Sequence, residues 1–271
     1  MFIFAFQILE KFPLNKYHKM TRIEVLNAII KKNNVKNYLE IGVNRGKCLF
    51  NIKGPKNRFA VDPFFNFNSW KKFKACVLNP DNLKNNYFEV TSDDFFNQNV
   101  DLLQKNKLNL TFIDGLHTYE QSLKDTLNTL EYLDNNGIIV LHDCNPLDEL
   151  AAYPANSIDD ARKDLENHKD WKNIWNGDVW KTIVYIRKNH PELSAFVLNT
   201  DHGLGFVYKK EQAELPEIFN SFTEIDTLDY AFFDSNRNDL IDLKPVSYFD
   251  EFLKNTLVFE PKKRFYKTIT P

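Results

Sequence analysis

Cysteine is scarce in this sequence: Cys48, Cys76 and Cys144 are all there is in 271 residues. Three is an odd number and no pair shares a C-x-x-C spacing. Neither a disulfide framework nor a zinc site is expected, and the pattern fits a reducing, cytoplasmic setting. An excess of one charge is also missing. Thirty-five basic residues against 37 acidic ones leave a net charge of −2, which gives no footprint for nucleic acid or an anionic membrane. Long apolar runs are lacking too. The apolar start, M-F-I-F-A-F-Q-I-L over residues 1–9, has no basic residue before it and is closed by Glu10 and Lys11. It is too short for a membrane span and wrongly flanked for a signal peptide. It reads as an arm that docks on its own domain or on a partner subunit, which favours a homodimer. There is no internal repeat and no low-complexity linker. The chain therefore divides into an N-terminal arm and helix over 1–34, a main domain over 35–210 with a lid over 145–176, and a helical appendage over 211–271.

What is present centres on residues 37–49, N-Y-L-E-I-G-V-N-R-G-K-C-L. An apolar run stops at Gly42, turns, and restarts at Gly46, which predicts strand, tight turn and helix. Gly42 allows backbone angles that a side chain forbids, and Gly46 allows close approach. The turn is expected to offer free N–H groups at a helix N-terminus beside the acidic Glu40. Before it, residues 21–32 predict an amphipathic helix with Ile23, Leu26, Ile29 and Ile30 on one face. Arg22, Glu24, Asn27, Lys31 and Lys32 lie mostly on the other, and Thr21 with Glu24 resembles a capping box.

Four more apolar runs follow, at 58–61, 87–90, 108–113 and 138–141, and each stops on polar residues. These are Asp62, then Thr91-Ser92-Asp93-Asp94, then Asp114-Gly115-Leu116-His117, then His142-Asp143-Cys144-Asn145. Residues 119–133 predict a helix ended by a left-handed cap at Gly137. A second helix runs over 178–188, and two more are expected over 215–222 and 247–255. The aromatic and basic run 64–79 reads as a loop and a solvated helix face. Residues 194–198 and 203–209 are joined too closely for a parallel crossover, so they form an antiparallel hairpin. The whole predicts a Rossmann-like α/β fold: a seven-stranded sheet, parallel except for an antiparallel terminal hairpin, with helices on both faces. Ligands bind beyond the carboxyl ends of such strands. The acid at Asp62, 22 positions after Glu40, suits the hydroxyls of a ribose. Residues 92–94 suit either a nucleobase pocket or a helix cap.

The motifs E-I-G-V-N-R-G, F-I-D-G-L-H-T-Y-E and G-I-I-V-L-H-D-C-N-P, together with the terminal hairpin, resemble the class I S-adenosylmethionine-dependent methyltransferases over residues 35–210. The last two resemble the branch that methylates oxygens of small molecules and sugars. Asn44 stands where the family's first motif has its middle glycine. The resemblance implies that Glu40, Gly42, Asn44 and Gly46 hold the methionine part of S-adenosylmethionine, Asp62 its ribose, and Ser92 and Asp94 its adenine, with Asp114 beside them. It implies an O-methyltransferase for a small hydroxylated acceptor such as a sugar or glycan precursor.

Moving a methyl group to a hydroxyl needs a base or a metal for the proton. His142 and His117, with Asp143 beside them, are the candidates for the base. Asp114, Asp143 and Asn145 are candidate oxygen ligands for Mg²⁺, which clamps the acceptor in related enzymes. In the G-D-V-W-K stretch, Trp180 and Lys181 are candidate acceptor contacts. Two other readings compete. An NAD(P)-dependent oxidoreductase is opposed by the G-x-x-x-G spacing and the hairpin. A non-catalytic cofactor-fold binding module is opposed by the intact polar constellation.

Overall fold

The computed structural model describes residues 20–255, so the apolar arm at 1–9 and the end of the appendage lie outside the described residues. The first helix, α1 (Arg22–Asn33), is opened by the expected capping box: Thr21 accepts from the Glu24 N–H and the Glu24 carboxylate accepts in return. Such a cap is worth about 1 kcal/mol. Its apolar face buries Val25, Leu26, Ile29 and Ile30.

Five parallel strands follow: β1 (Asn37–Ile41), β2 (Asn57–Val61), β3 (Asn85–Phe88), β4 (Leu108–Ile113) and β5 (Leu133–Leu141). The antiparallel partner β7 (Leu204–Lys209) joins β5 to β6 (Leu193–Leu198). The sheet order is β3-β2-β1-β4-β5-β7-β6-β8. The hairpin expected from the short connection is there. The eighth strand, β8 (Leu243–Lys244), is an addition to the expected seven. Two residues carry no alternation to read, and α8 (Tyr230–Ile241), itself unforeseen, delivers them to the edge.

The sheet is covered on both faces. One face packs against α3 (Ser92–Gln98), α4 (Val100–Lys105), α5 (Tyr119–Tyr132), α7 (Trp180–Asn189) and α8, in a core that includes Phe95, Leu103, Ile183 and Phe233. The other packs against α1 and α9 (Tyr248–Asn255), in a core with Leu26, Phe206, Phe249 and Phe252. One further helix, α2 (Ser69–Leu78), follows β2 and buries only Ala75. The segment after β5 contains α6 (Ile158–Leu165).

Three expectations are corrected. No α-helix follows the glycine turn; the chain makes only a short 3-10 turn over Leu49–Asn51. Gly54, with φ +106°, and Pro55 end the segment before an α-helix can gain its second turn. Gly137 is not a left-handed cap. It lies inside β5, where an added Cβ would sit 2.7 Å from the Leu108 carbonyl oxygen. The helix expected over 215–222 is a 3-10 turn at Glu217–Asn220.

Candidate active site

The carboxyl ends of β2, β1, β4 and β5 form one rim, and the glycine turn opens it. Gly42 has φ +85°, and a Cβ there would sit 2.0 Å from the Asp114 carbonyl oxygen, so the ends of β1 and β4 can touch only at glycine. Asn44 adopts φ 45°, an angle that asparagine tolerates better than most residues. The turn's N–H groups are less free than expected. Gly42 N donates to Val61 O, Gly46 N to Val43 O, and Asn44 N to Asp62 Oδ2 at 2.7 Å. Asp62 also accepts from Phe64 N at 2.8 Å. Each Asp62 oxygen is thereby anchored by one backbone donor, and a carboxylate oxygen can accept another.

Glu40 is not on the rim. It is 1% exposed and turned into the floor beneath the turn, where it accepts from the Tyr38 hydroxyl at 2.5 Å and from Leu49 N at 3.0 Å. Burial pushes its pKa up to about 7, against the Tyr38 hydrogen bond and with the help of the Asp114 charge.

At the end of β3 the cap of α3 is Thr91. Its hydroxyl accepts from Asp94 N and donates to the Asp94 carboxylate at 2.8 Å. Asp94 is thus occupied by the cap. Ser92 instead faces Gln121, whose Nε2 donates to Ser92 Oγ, Asp93 Oδ1 and Asp125 Oδ1. Burial raises the Asp125 pKa to about 6.

The densest polar cluster joins the ends of β4 and β5. His142 Nδ1 lies 2.6 Å from Asp143 Oδ2 and 3.2 Å from Asp114 Oδ1. His117 Nε2 lies 3.3 Å from Asp143 Oδ2 and 3.5 Å from Asp114 Oδ1. The other nitrogen of His117 is 3.0 Å from the Trp175 carbonyl oxygen, which makes it a donor and leaves Nε2 to face the carboxylates. The Trp175 ring stacks on His117 at 5.4 Å between centroids. Asn176 donates to Asp143 Oδ1. Gly177 lets that segment close in, since a Cβ there would overlap the His117 carbonyl oxygen.

Two further segments complete the cluster. Arg22 donates to Asp114 Oδ2 at 2.6 Å and to Asp201 Oδ2 at 3.1 Å. Asp201 Oδ1 is 3.7 Å from His142 Nε2, a buried nitrogen with no hydrogen-bond partner. The His202 ring sits 5.8 Å from that of His142. Asp143, Asp201 and His202 all have positive φ, between 44° and 65°. Strained non-glycine backbone of this kind persists where surroundings over-determine it, and it concentrates at functional sites.

Electrostatics hold this rim ionised. Burial alone would lower the pKa of His117, but Asp143 and Asp114 raise it to about 9. His142 rises for the same reason against the same burial penalty. Burial works to raise Asp114 and Asp143, yet the histidines hold both below the ordinary carboxylate range. With both imidazoles protonated, His117, His142 and Arg22 balance Asp114, Asp143 and Asp201.

One oxygen each from Asp114 and Asp143 and one nitrogen from His117 lie within 4.8 Å of one another, a spacing that suits a metal ion. Asn145 belongs to a different group: its Oδ1 accepts from Arg237 and its Nδ2 donates to Asn199. Trp180 and Lys181 are taken up in packing. Trp180 stacks on Phe233 at 4.3 Å, and Lys181 donates to the Asp226 carbonyl. Arg22, Trp175, Asn176, Asp201 and His202 were not anticipated. Topology offered one signal: the turn between β6 and β7 must lie at the same rim as the end of β5.

Residues 39–144, from β1 to just past β5, match the family model described as a methyltransferase domain. That match covers less than half of the chain, and the sheet order, parallel with an antiparallel end, agrees with it. No curated protein matches the chain. Among solved structures, it is similar to the methyltransferase PaMTH1 from Podospora anserina, solved with S-adenosylhomocysteine. The two are 14% identical, with a TM-score of 0.49 over 71% of this chain and 81% of that one. An O-methyltransferase from Bacillus cereus gives 15%, 0.44, 71% and 82% respectively. The O-methyltransferase TomG from Streptomyces achromogenes gives 8%, 0.48, 70% and 79%. These likenesses concern the fold.

Proposed function

We propose that the chain transfers the methyl group of S-adenosylmethionine to a hydroxyl oxygen of a small acceptor, with a sugar or glycan precursor as the favoured class. The observation that carries this is the close cluster of half-buried Asp114 and His117 with buried His142 and Asp143 beside the glycine turn. An oxygen nucleophile needs its proton removed, and this cluster gathers proton acceptors where the sulfonium methyl would end.

The donor set fits the cofactor. The ends of β1, β2 and β3 succeed one another at strand spacing, about 4.8 Å. Asp62 lies at the second for the ribose, and Ser92 with Gln121 at the third for the base. Asp114 and the backbone of Gly42, Asn44 and Gly46 border the methionine end. Glu40 supports the turn from beneath. When bound, S-adenosylmethionine supplies an electrophilic methyl group.

Asp114, His117 and Asp143 fit a divalent cation as two carboxylates and one imidazole, with His117 in the part first given to Asn145. When bound, such an ion polarises the acceptor oxygen. The imidazole suits Mn²⁺ as well as Mg²⁺. His142 is protonated at rest, so it can serve as the base only in its neutral form, with Nδ1–H kept by Asp143 and Asp114 and the unpartnered Nε2 left to take the acceptor's proton. The segment 145–176 is the lid, and its end, Trp175 and Asn176, braces His117 and Asp143. The remaining expectations are a cytoplasmic enzyme and a homodimer. No described helix is long and apolar enough to cross a membrane.

Calorimetry tests the cofactor step. S-adenosylmethionine is expected to bind the wild type, and Asp62→Ala to weaken binding by about tenfold or more, the loss of a charged hydrogen-bond acceptor. Mass spectrometry of hydroxylated acceptors incubated with isotopically labelled cofactor tests transfer. No heat of binding at high micromolar cofactor, with Asp62→Ala indistinguishable, would sink the reading.

A further inference from the structure

The described residues expose few large apolar side chains, and most of those cluster in one place. Phe64, Trp70, Phe73, Val77, Leu78 and Leu83 are each at least 58% exposed. Four of them belong to α2, which turns Ala75 inward and its apolar stripe outward. Trp70 and Phe73 stack on one another at 5.5 Å, and Val77 continues the same helical row. Lys71 and Lys74 flank the stripe and are exposed. Lys72 points the other way, over the Tyr87 ring at 4.2 Å. No Asp or Glu occurs from 63 to 80. A chain of net charge −2 thus carries a basic, aromatic face on an outward helix, bordered by Asp81, which pairs with Lys84, and by Glu89, which accepts from Phe65 N. An exposed apolar cluster of this kind marks an interaction surface.

Charge decides the occupant. A second copy in a two-fold contact would set Lys71 and Lys74 against the same lysines of its partner. The chain's own ends offer no acidic complement: residues 1–9 carry no charged residue, residues 10–19 carry Lys11, Lys16 and Lys19 against Glu10, and residues 256–271 carry Lys262, Lys263, Arg264 and Lys267 against Glu260. The complement is an anionic surface that accepts an inserted Trp and Phe row, with lysines at the level of its charged groups. We propose that α2 and the loop before it dock the protein on an anionic lipid bilayer. The loop ties this face to the glycine turn, because Asn66 N donates to Asn44 O at 3.0 Å. Docking therefore sets the rim near the membrane surface. The proposal does not depend on methyl transfer.

Flotation of the full chain with vesicles tests it. Vesicles of phosphatidylcholine with phosphatidylglycerol are expected to carry the wild type upward, and vesicles of phosphatidylcholine alone to leave it behind. The double variant Trp70→Glu with Phe73→Glu is expected to lose at least about tenfold in partitioning, since it removes the inserted row. Lys71→Glu with Lys74→Glu is expected to lose a comparable factor and most of the salt dependence. The replaced side chains are exposed, so both variants should keep the wild-type melting temperature. Three outcomes overturn the proposal. The wild type stays unbound on anionic vesicles; or Trp70→Glu with Phe73→Glu binds as well as the wild type, which assigns binding to the chain ends; or that variant turns a vesicle-indifferent dimer into a monomer, which makes the patch a contact between copies.

Discussion

Two groups of acids sit one strand apart in this sheet and behave in opposite ways. Glu40, on β1, lies beneath the glycine turn with a hydroxyl and an amide as partners. Asp114 and Asp143, just past β4 and β5, lie on the rim with two imidazoles and a guanidinium. All three carboxyl groups are penalised by burial. Neutral donors do not offset the penalty, so Glu40 holds its proton up to about pH 7. Cationic partners more than offset it, so the rim aspartates stay ionised well below the usual range. The difference lies in the partners: the floor carboxyl is held by Tyr38 and the turn's backbone, and the rim carboxylates hold the histidines protonated at the strand ends.

The largest effect is expected where the rim loses its centre. Asp143→Ala removes the partner shared by His142, His117 and Asn176. It leaves the two imidazoles with Asp114 as their one close carboxylate, Asp201 lying 3.7 Å from His142 Nε2. Turnover with any accepted substrate should fall at least about a hundredfold, the usual worth of a proton-transfer constellation. Stability should fall by about 3 kcal/mol, as when one member of a buried ion pair is deleted. Denaturant unfolding together with single-turnover kinetics checks both. A variant with turnover within about threefold of the wild type would remove Asp143 from the chemistry.

The contrast between floor and rim was only half legible in the sequence. The strands were legible because each is a short apolar run that stops on a polar residue, and the rim then follows from parallel pairing. That is how Asp62, Asp114, His142 and Asp143 came to be gathered. The direction of the Glu40 side chain was not legible. Strand alternation says that neighbours face opposite ways, but not which face is floor, and Tyr38, two residues earlier on the same face, had to be seen buried at Glu40. Arg22 was misread for a related reason. Helical periodicity assigns it to the solvent face of α1, yet it sits at the helix's first turn, where the rim comes within reach. Asp201 and His202 lie in a hairpin turn, and only the pairing of β6 with β7 beside β5 brings them to His142. The helix expected after Gly46 failed because the run to Gly54 and Pro55 is too short, a limit the sequence did contain.

A middle-sized effect sharpens the comparison through pH. The folded state holds the Glu40 proton more tightly than the unfolded chain, from 4.5 up to about 7. The penalty is therefore absent below pH 4.5, grows as pH rises through this window, and is constant above it. It amounts to something on the order of 3 kcal/mol. His117, raised from 6.5 to about 9, adds stability that is full below pH 6.5 and lost toward pH 9. The depressed rim aspartates act the other way and cost stability only as pH falls below the ordinary carboxylate range. Stability should therefore peak near pH 4.5, just above the range where the rim aspartates lose their charge, and decline as pH rises from there. Glu40→Gln keeps the Tyr38 contact and removes the lower window. Urea midpoints at pH 5 and pH 8 should fall less for this variant than for the wild type. Equal falls would assign the proton elsewhere.

The smallest effect is expected at Asn145, which the sequence grouped with the rim and the structure pairs with Arg237 and Asn199. An amide oxygen already facing a guanidinium is a poor ligand for a cation, because charge repulsion from Arg237 opposes the ion's approach. His117 has the opposite setting: its Nε2 faces Asp114 and Asp143, the carboxylates an ion would bridge. Mn²⁺ binding followed by electron paramagnetic resonance separates the two. Asn145→Ala should leave the dissociation constant within about twofold. His117→Ala should weaken it by about tenfold or more, the range seen when a metal site loses part of its support. The pH course carries the same information, because an ion bound through His117 must displace the proton that the carboxylates hold there. Binding should tighten as pH rises toward 9 in the wild type and lose most of that dependence in His117→Ala. If Asn145→Ala proved the more damaging change, the donor set would move off the imidazole and onto the loop after β5, and the rim histidines would be left with proton transfer alone.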